Sequence, residues 1–384
     1  MHLEGALAAA VDRRQQDGSR RHLNVLQDKN VDFCSNDYLG FARSEKLAEK
    51  IGHGGHGATG SRLVSGTSQL HVDVERELAA FYRAKAALVF NSGYLANLSV
   101  LSAVPQKGDF VLYDALVHNS CREGLRLSRA NAIAFNHNDC LHLKQQLERL
   151  AIEFPNVNKI VVVESVYSMD GDIAPLVEMV AICKAFNASL IVDEAHGVAV
   201  TGPKGSGIVC QLGLENDVFC TVYTFGKGMG IHGAVVCGSQ VLKEYLINYA
   251  RPFIYTTSLP PADMLSIRAA HEFSASIHGE EARKQLTLNI QRFRRQVAGS
   301  TILPSSLLES STAIQGVICP GNDRVLEAAA TLRSQGFNVV AIRAPTVPIQ
   351  SERLRIIVHA YNTNEEIDQL VSLIASVLTP RSKI

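Results

Sequence analysis

Two residues of this chain, Asp193 and Lys227, have the type and setting for covalent cofactor chemistry. Asp193 ends the apolar run 190–192 and leads into Glu194-Ala195-His196-Gly197. Lys227 stands between Gly226 and Gly228, just after the β-branched run 221–224. Apolar runs that stop at polar turns are the pattern of buried parallel strands, and in open α/β sheets ligands sit at the C-terminal ends of such strands. A carboxylate at one strand end and a glycine-flanked lysine at another suit an aldehyde cofactor with a pyridine ring. The amine can form a Schiff base, and the acid can pair with the protonated ring nitrogen. Behind an apolar run Asp193 is expected to be buried, and a buried acid needs a cationic partner. The expected cofactor is pyridoxal 5'-phosphate, with Lys227 as its covalent anchor.

The elements that must position these residues are legible as alternating strands and helices. Residues 86–91 (AALVFN) read as a strand, and Ser92-Gly93-Tyr94 opens a helix beginning near Leu95. Such a junction offers backbone N–H groups and the positive helix end to an anion. Further strands are expected at 110–113, 132–135 and 159–163, with helices at 70–82, 141–154, 176–186 and 243–249. This alternation predicts an open, mainly parallel sheet with helices on both faces. The glycine-dense stretch 52–66 reads as a surface loop or as a fixed loop over a ligand. Residues 4–17 read as a helix with Leu7 and Val11 on one face, ended by Gly18. A long helical stretch is expected at 262–298. Strands at 313–318, 338–342 and 354–358 then alternate with helices at 325–335 and 365–377. The expected organisation is an N-terminal helix and arm (1–50), a large domain (51–262), and a linking helix with a small C-terminal α+β domain (263–384).

The totals bound the function classes. The chain has 384 residues, 46% apolar and 19% charged, so a sizeable core is expected and disorder is not. Lys+Arg and Asp+Glu balance at 37 each, which argues against a broad nucleic-acid or anionic-membrane surface. The N-terminal residues do not read as a signal peptide, and no apolar run approaches the ~20 residues of a membrane span. The eight cysteines are scattered without C-x-x-C spacing, so reduced thiols are expected, with no metal site and no disulfide framework. A cytoplasmic protein is the expectation.

Ten motifs, in order along nearly the whole chain, carry a family resemblance. They are SNDYLG (35–40), GATGSRLVSG (57–66), SGYLAN (92–97), DALVHNS (114–120), FNHND (135–139), ESVYSMDGD (164–172), VDEAHG (192–197), TFGKGMG (224–230), IYTTSLPP (254–261) and AIRAPTVP (341–348). With them the chain resembles the α-oxoamine synthases, pyridoxal-phosphate enzymes of fold type I. The resemblance implies a large domain with a mainly parallel seven-stranded sheet, a smaller C-terminal α+β domain and a homodimer. It also implies the site roles. Lys227 is the Schiff-base lysine and Asp193 the partner of the ring nitrogen. His196 contacts the phenolic oxygen, and His118 stacks on the ring and helps position the acyl intermediate. Gly93, Tyr94, Ser168 and Thr224 match cofactor contacts, Thr224 at the phosphate. Thr256 and Thr257 resemble a segment that reaches the phosphate from the partner subunit. Arg20, with Arg21 beside it, and Thr346 match acyl-substrate contacts, and Arg355 matches the clamp on the amino-acid carboxylate. The implied reaction is a decarboxylative condensation, and AIRAPTVP and GSRLVSG look most like the branch that joins L-alanine to pimeloyl-CoA or a pimeloyl-acyl carrier protein. The alternatives are a glycine C-acetyltransferase, 5-aminolevulinate synthase, serine palmitoyltransferase or autoinducer synthase within the family, an aminotransferase, or a non-catalytic pyridoxal-phosphate sensor.

Overall fold

The computed structural model describes residues 2–23, 25 and 29–378; residues 379–384 of the expected C-terminal domain lie outside that range. Its strands, in chain order, are β1 (Val31–Asp32), β2 (Ala86–Phe90), β3 (Phe110–Asp114), β4 (Asn131–Phe135), β5 (Lys159–Glu164), β6 (Ala188–Asp193), β7 (Cys220–Thr224), β8 (Ala234–Gly238), β9 (Ile314–Ile318), β10 (Phe337–Asn338), β11 (Val340–Ile342) and β12 (Arg353–Ile357). The chain divides into two compact units. One comprises Asp37–Ser168 and Ile173–Arg283; the other comprises Met1–Asn36, Met169–Asp172 and Lys284–Ile384. These limits differ from the expected ones. The arm before Asn36 groups with the C-terminal unit because β1 pairs with β10, a partnership invisible to local pattern. The second limit falls at Lys284, inside a helix, rather than at 263.

The larger unit holds a seven-stranded sheet in the order β2-β8-β7-β6-β5-β3-β4. Strands β7, β6, β5, β3 and β4 run parallel, while β8 lies antiparallel to both of its neighbours. Every residue of β2, β5 and β7 is buried, as expected of strands covered on both faces. Leu88, Val111, Val162, Ile191, Val222 and Val236 share one core cluster with Val100 and Leu101 of the helix Gly93–Ala103. Each such side chain contributes roughly 1.5–3 kcal/mol on burial, and their sum fixes the sheet as a rigid floor. Strand β8 carries no signal in the sequence, since its five small residues follow a glycine-rich loop without alternation.

The expected helical stretch 262–298 is two helices, Pro261–Ser274 and Ile277–Ala298. The break has a local cause. Ser276 Oγ donates to the Phe273 carbonyl at 2.7 Å, and Arg283 donates to the Ser274 carbonyl at 3.0 Å, so these carbonyls are satisfied outside the helical ladder. The glycine-dense stretch is a fixed loop: Ser258 N–H donates to the Gly60 carbonyl at 3.0 Å, and Ser61 bridges Thr257.

In the smaller unit β11, β12 and β9 form an antiparallel sheet, and β1 with β10 a separate parallel pair. The single strand expected at 338–342 is therefore two, because Asn338 and Val340 find different partners. The N-terminal helix, Leu3–Gln16, buries none of its residues, Leu7 and Val11 included. All eight cysteines are free. Among the described residues no helix is long and apolar enough to cross a membrane, and no three His, Cys, Asp or Glu side chains gather as metal ligands.

Candidate active site

Parallel strands end together, and here three neighbours end in polar residues. Glu164, Asp193 and Thr224 are the last residues of β5, β6 and β7. Glu164 lies in register with Asp193, and Asp193 with Val222. Over this edge opens a cavity of about 200 Å³, lined by Ser92, Gly93, Tyr94, Asn97, His118, Ser120, Glu164, Asp193, Ala195, His196, Thr224, Gly226, Lys227, His232 and Gly233. Residues separated by well over a hundred positions are thus gathered by sheet topology alone.

Lys227 sits on a loop closed at its neck. Phe225 N–H donates to the Gly233 carbonyl at 2.9 Å, and Ile231 N–H to the Phe225 carbonyl at 3.1 Å. Gly230, at φ +67°, turns the chain back so that its N–H reaches the Lys227 carbonyl at 2.8 Å; only glycine adopts that conformation freely. The lysine is thereby held half-buried at the cavity, and at Gly228 a Cβ would collide with the Val198 carbonyl, so glycine lets the loop pack there.

Asp193 is 4% exposed and held at both oxygens. Asn97 Nδ2 donates to Oδ2 at 2.7 Å, and the Ala195 N–H donates to Oδ1 at 2.9 Å. Asn97 also donates to Ser120 Oγ at 3.0 Å, and Ser120 Oγ lies 2.7 Å from His118 Nδ1. One network therefore runs from the acid to the ring of His118 at the cavity rim. Desolvation holds the His118 imidazole below its ordinary pKa; the negative charge of Asp193 opposes that and the Lys227 ammonium reinforces it. His196, buried, has Nδ1 2.5 Å from the hydroxyl of Tyr38.

Beside Asp193, Glu194 points into the protein. Its carboxylate accepts from Ser165 Oγ and from Val209 N–H, each at 2.6 Å. Burial nevertheless pushes its pKa up to about 7, against the lowering effect of those bonds. This acid clamps the turn that carries Asp193 and His196. Sequence reasoning did not single it out, nor Asn97, Ser120, Tyr38 or Glu164, because each owes its place to a contact distant in sequence.

The remaining expected site residues lie elsewhere. Ser168 is buried just beyond β5 and Thr256 and Thr257 precede the helix Pro261–Ser274; none of the three lines the cavity. Thr257 offers its carbonyl to Asn91 Nδ2 at 2.7 Å. Arg20, Thr346 and Arg355 belong to the smaller unit. There Arg20 and Thr346 are exposed, whereas Arg355, on β12, is buried and donates to Asn36 Oδ1 at 3.1 Å.

The cavity fits the cofactor expected from the sequence. Thr224 Oγ1 is buried without a hydrogen-bond partner. It sits beside Gly93, where a Cβ would collide with the Thr224 methyl group, so only glycine lets the backbone pass this close to Thr224. The helix Gly93–Ala103 begins there, capped by Ser92 Oγ accepting from the Leu95 N–H at 3.3 Å. A hydroxyl and a helix N-terminus suit a phosphate, Asp193 suits a pyridine nitrogen, and Lys227 suits an aldehyde.

The family model of the aminotransferases of class I and II matches residues 28–374. The chain belongs to that family. Within it, the chain is 41% identical over 350 residues to the 8-amino-7-oxononanoate synthase of Marinobacter nauticus, covering 90% of this chain and 86% of the relative. It is 39% identical over 400 residues to the 8-amino-7-oxononanoate synthase of Emericella nidulans, covering 99% of this chain and 97% of the relative. Among solved structures it is similar to a lysine-to-alanine variant of the serine palmitoyltransferase from S. paucimobilis with a bound PLP–myriocin aldimine, at a TM-score of 0.87 and 29% identity, covering 97% of this chain and 96% of that one.

Proposed function

We propose that this chain condenses L-alanine with a pimeloyl thioester, of coenzyme A or of a carrier protein, to give 8-amino-7-oxononanoate, CO2 and the free thiol carrier. This is a step of biotin biosynthesis, and pyridoxal 5'-phosphate is its cofactor. The reading is carried by the 41% identity, along 90% of the chain, to a relative named for that product. When bound, the cofactor supplies an electron sink for carbanion chemistry.

The chain's own residues supply the rest. Lys227 would hold the cofactor through Nζ and, as a free amine, would take and return the substrate's Cα proton at that atom. Asp193, fixed by Asn97 and Ala195, holds negative charge opposite the ring nitrogen. Thr224 Oγ1 and the helix start at Gly93 and Tyr94 hold the phosphate, with Ser168 and His196 as further cofactor contacts. His118, which lines the cavity, would contact the cofactor and position the acyl group. Arg355 receives the amino-acid carboxylate, and Arg20 and Thr346 meet the acyl substrate. Thr256 and Thr257 act from a second copy, which makes the working unit a homodimer. Holding both reactants over one ring lets orientation supply much of the acceleration.

The likeness to a serine palmitoyltransferase structure supports a second reading, in which the amino acid is serine and the acyl chain longer. Release of free coenzyme A decides between them. Turnover of L-alanine with pimeloyl-CoA, and none of L-serine with palmitoyl-CoA or glycine with acetyl-CoA, is the expected result. Preference for another pair moves the chain to another branch, and no release of thiol from any pair, whether the acyl donor is the coenzyme A or the carrier-protein thioester, leaves a cofactor-binding sensor.

A further inference from the structure

Glu164 is the one acid of the cavity edge that the proposed reaction leaves without a task. It is 2% exposed, lines the cavity, and faces Asp193 in register on the adjacent strand. Its two oxygens are treated unequally: the carboxylate accepts from the backbone N–H of His118, while Oε1 is buried with no partner. Asp193, by contrast, has a donor on each oxygen. Two ionised carboxylates side by side in one desolvated cavity repel each other, and the proton settles on the acid with fewer donors.

We propose that Glu164 is a positioning residue that works as a neutral carboxylic acid, one oxygen holding the backbone of His118 and the protonated Oε1 turned to the cavity. The inference rests on the reading of the cavity as a pyridoxal-phosphate site. Its consequence is electrostatic: the negative charge at the sheet edge stays on Asp193, opposite the ring nitrogen, instead of being split across two strands. Burial raises the Glu164 pKa well above the ordinary range, the charge of Asp193 raises it further, and Lys227 and the His118 N–H pull the other way. Asp114, at the end of β3, adds to the upward push, and Cys121 and Tyr167 are the other titratable groups that interact with Glu164. A neutral acid kept inside a site as a hydrogen-bond donor is a known way to stabilise charge developing elsewhere.

The test compares wild type, Glu164→Gln and Glu164→Ala, each loaded with pyridoxal phosphate. The readouts are the pH midpoint of the bound cofactor's absorption band and the kcat and KM for the amino acid. Glutamine copies the neutral acid, so Glu164→Gln should leave the midpoint within about 0.3 pH unit and kcat within roughly threefold. Glu164→Ala frees the His118 N–H and should lower kcat by about tenfold or more, with the midpoint again unmoved. If Glu164→Gln instead lowers the midpoint by about one unit or more, the acid is ionised in the wild type and the inference is overturned. Unchanged kcat in Glu164→Ala overturns the positioning role, and should that variant not fold, the glutamine variant carries the test. Absence of any band in the wild type is a different outcome: it removes the cavity reading itself.

Discussion

Asn97 donates its side-chain amide to Oδ2 of Asp193 at 2.7 Å, joining the helix Gly93–Ala103 to the end of β6 across 96 residues of sequence. With the Ala195 N–H on the other oxygen, both carboxylate oxygens are held at the cavity edge. A buried carboxylate that loses a donor must turn or take a proton. Asn97→Ala should therefore weaken pyridoxal-phosphate binding by about ten- to a hundredfold, the equivalent of one buried hydrogen bond to a charged group. Titration of the unloaded protein with cofactor measures it, and unchanged affinity would show that Asp193 is held by Ala195 alone.

Tyr38 and His196 form the second fixed contact, hydroxyl to Nδ1 at 2.5 Å. When the tyrosine donates, Nδ1 is an acceptor and the imidazole proton resides on Nε2. Tyr38→Phe removes that choice while keeping the buried ring. The cofactor's absorption should shift, and kcat should fall by roughly tenfold, with a much smaller effect on KM. A spectrum and rate equal to wild type would show that the tautomer of His196 is set elsewhere.

Glu194 gives a pH dependence with a definite sign. Its pKa is raised in the folded chain to about 7 from 4.5, chiefly by burial. The folded state then holds the proton more tightly than the unfolded one. Stability contributed by this group is present below pH ~4.5 and is lost as pH rises towards ~7. The full span is about 3 kcal/mol. Glu194→Gln should flatten the fall in unfolding free energy between those limits, read by denaturant titration at several pH values. A slope identical to wild type would place the titration in another buried group.

The fold and the cavity were legible to different depths. Strand ends such as Asp193 and Thr224 stand out because a β-branched apolar run halts at a polar residue, and Lys227 because glycines flank it; parallel topology then brings those ends to one edge. The antiparallel β8 and the break at Ser274–Ser276 were hidden, since one is short and small and the other depends on hydroxyl and guanidinium bonds to carbonyls. Asn97, Tyr38 and Glu164 lay inside recognised motifs yet carried no chemical signal of their own. Their place comes from pairing and hydrogen bonds across long stretches of chain, which periodicity cannot report. The split of 338–342 into β10 and β11 has the same origin, because β10 answers to the N-terminal arm.

Removing the Lys227 side chain tests the central claim most directly. Purified protein should take up pyridoxal phosphate with an absorption band near ~420 nm, and borohydride reduction should fix the cofactor to one lysine. Peptide mass mapping should place that adduct on Lys227, and Lys227→Ala should show neither band nor adduct. An adduct on a different lysine, or a band that survives in Lys227→Ala, would contradict the account.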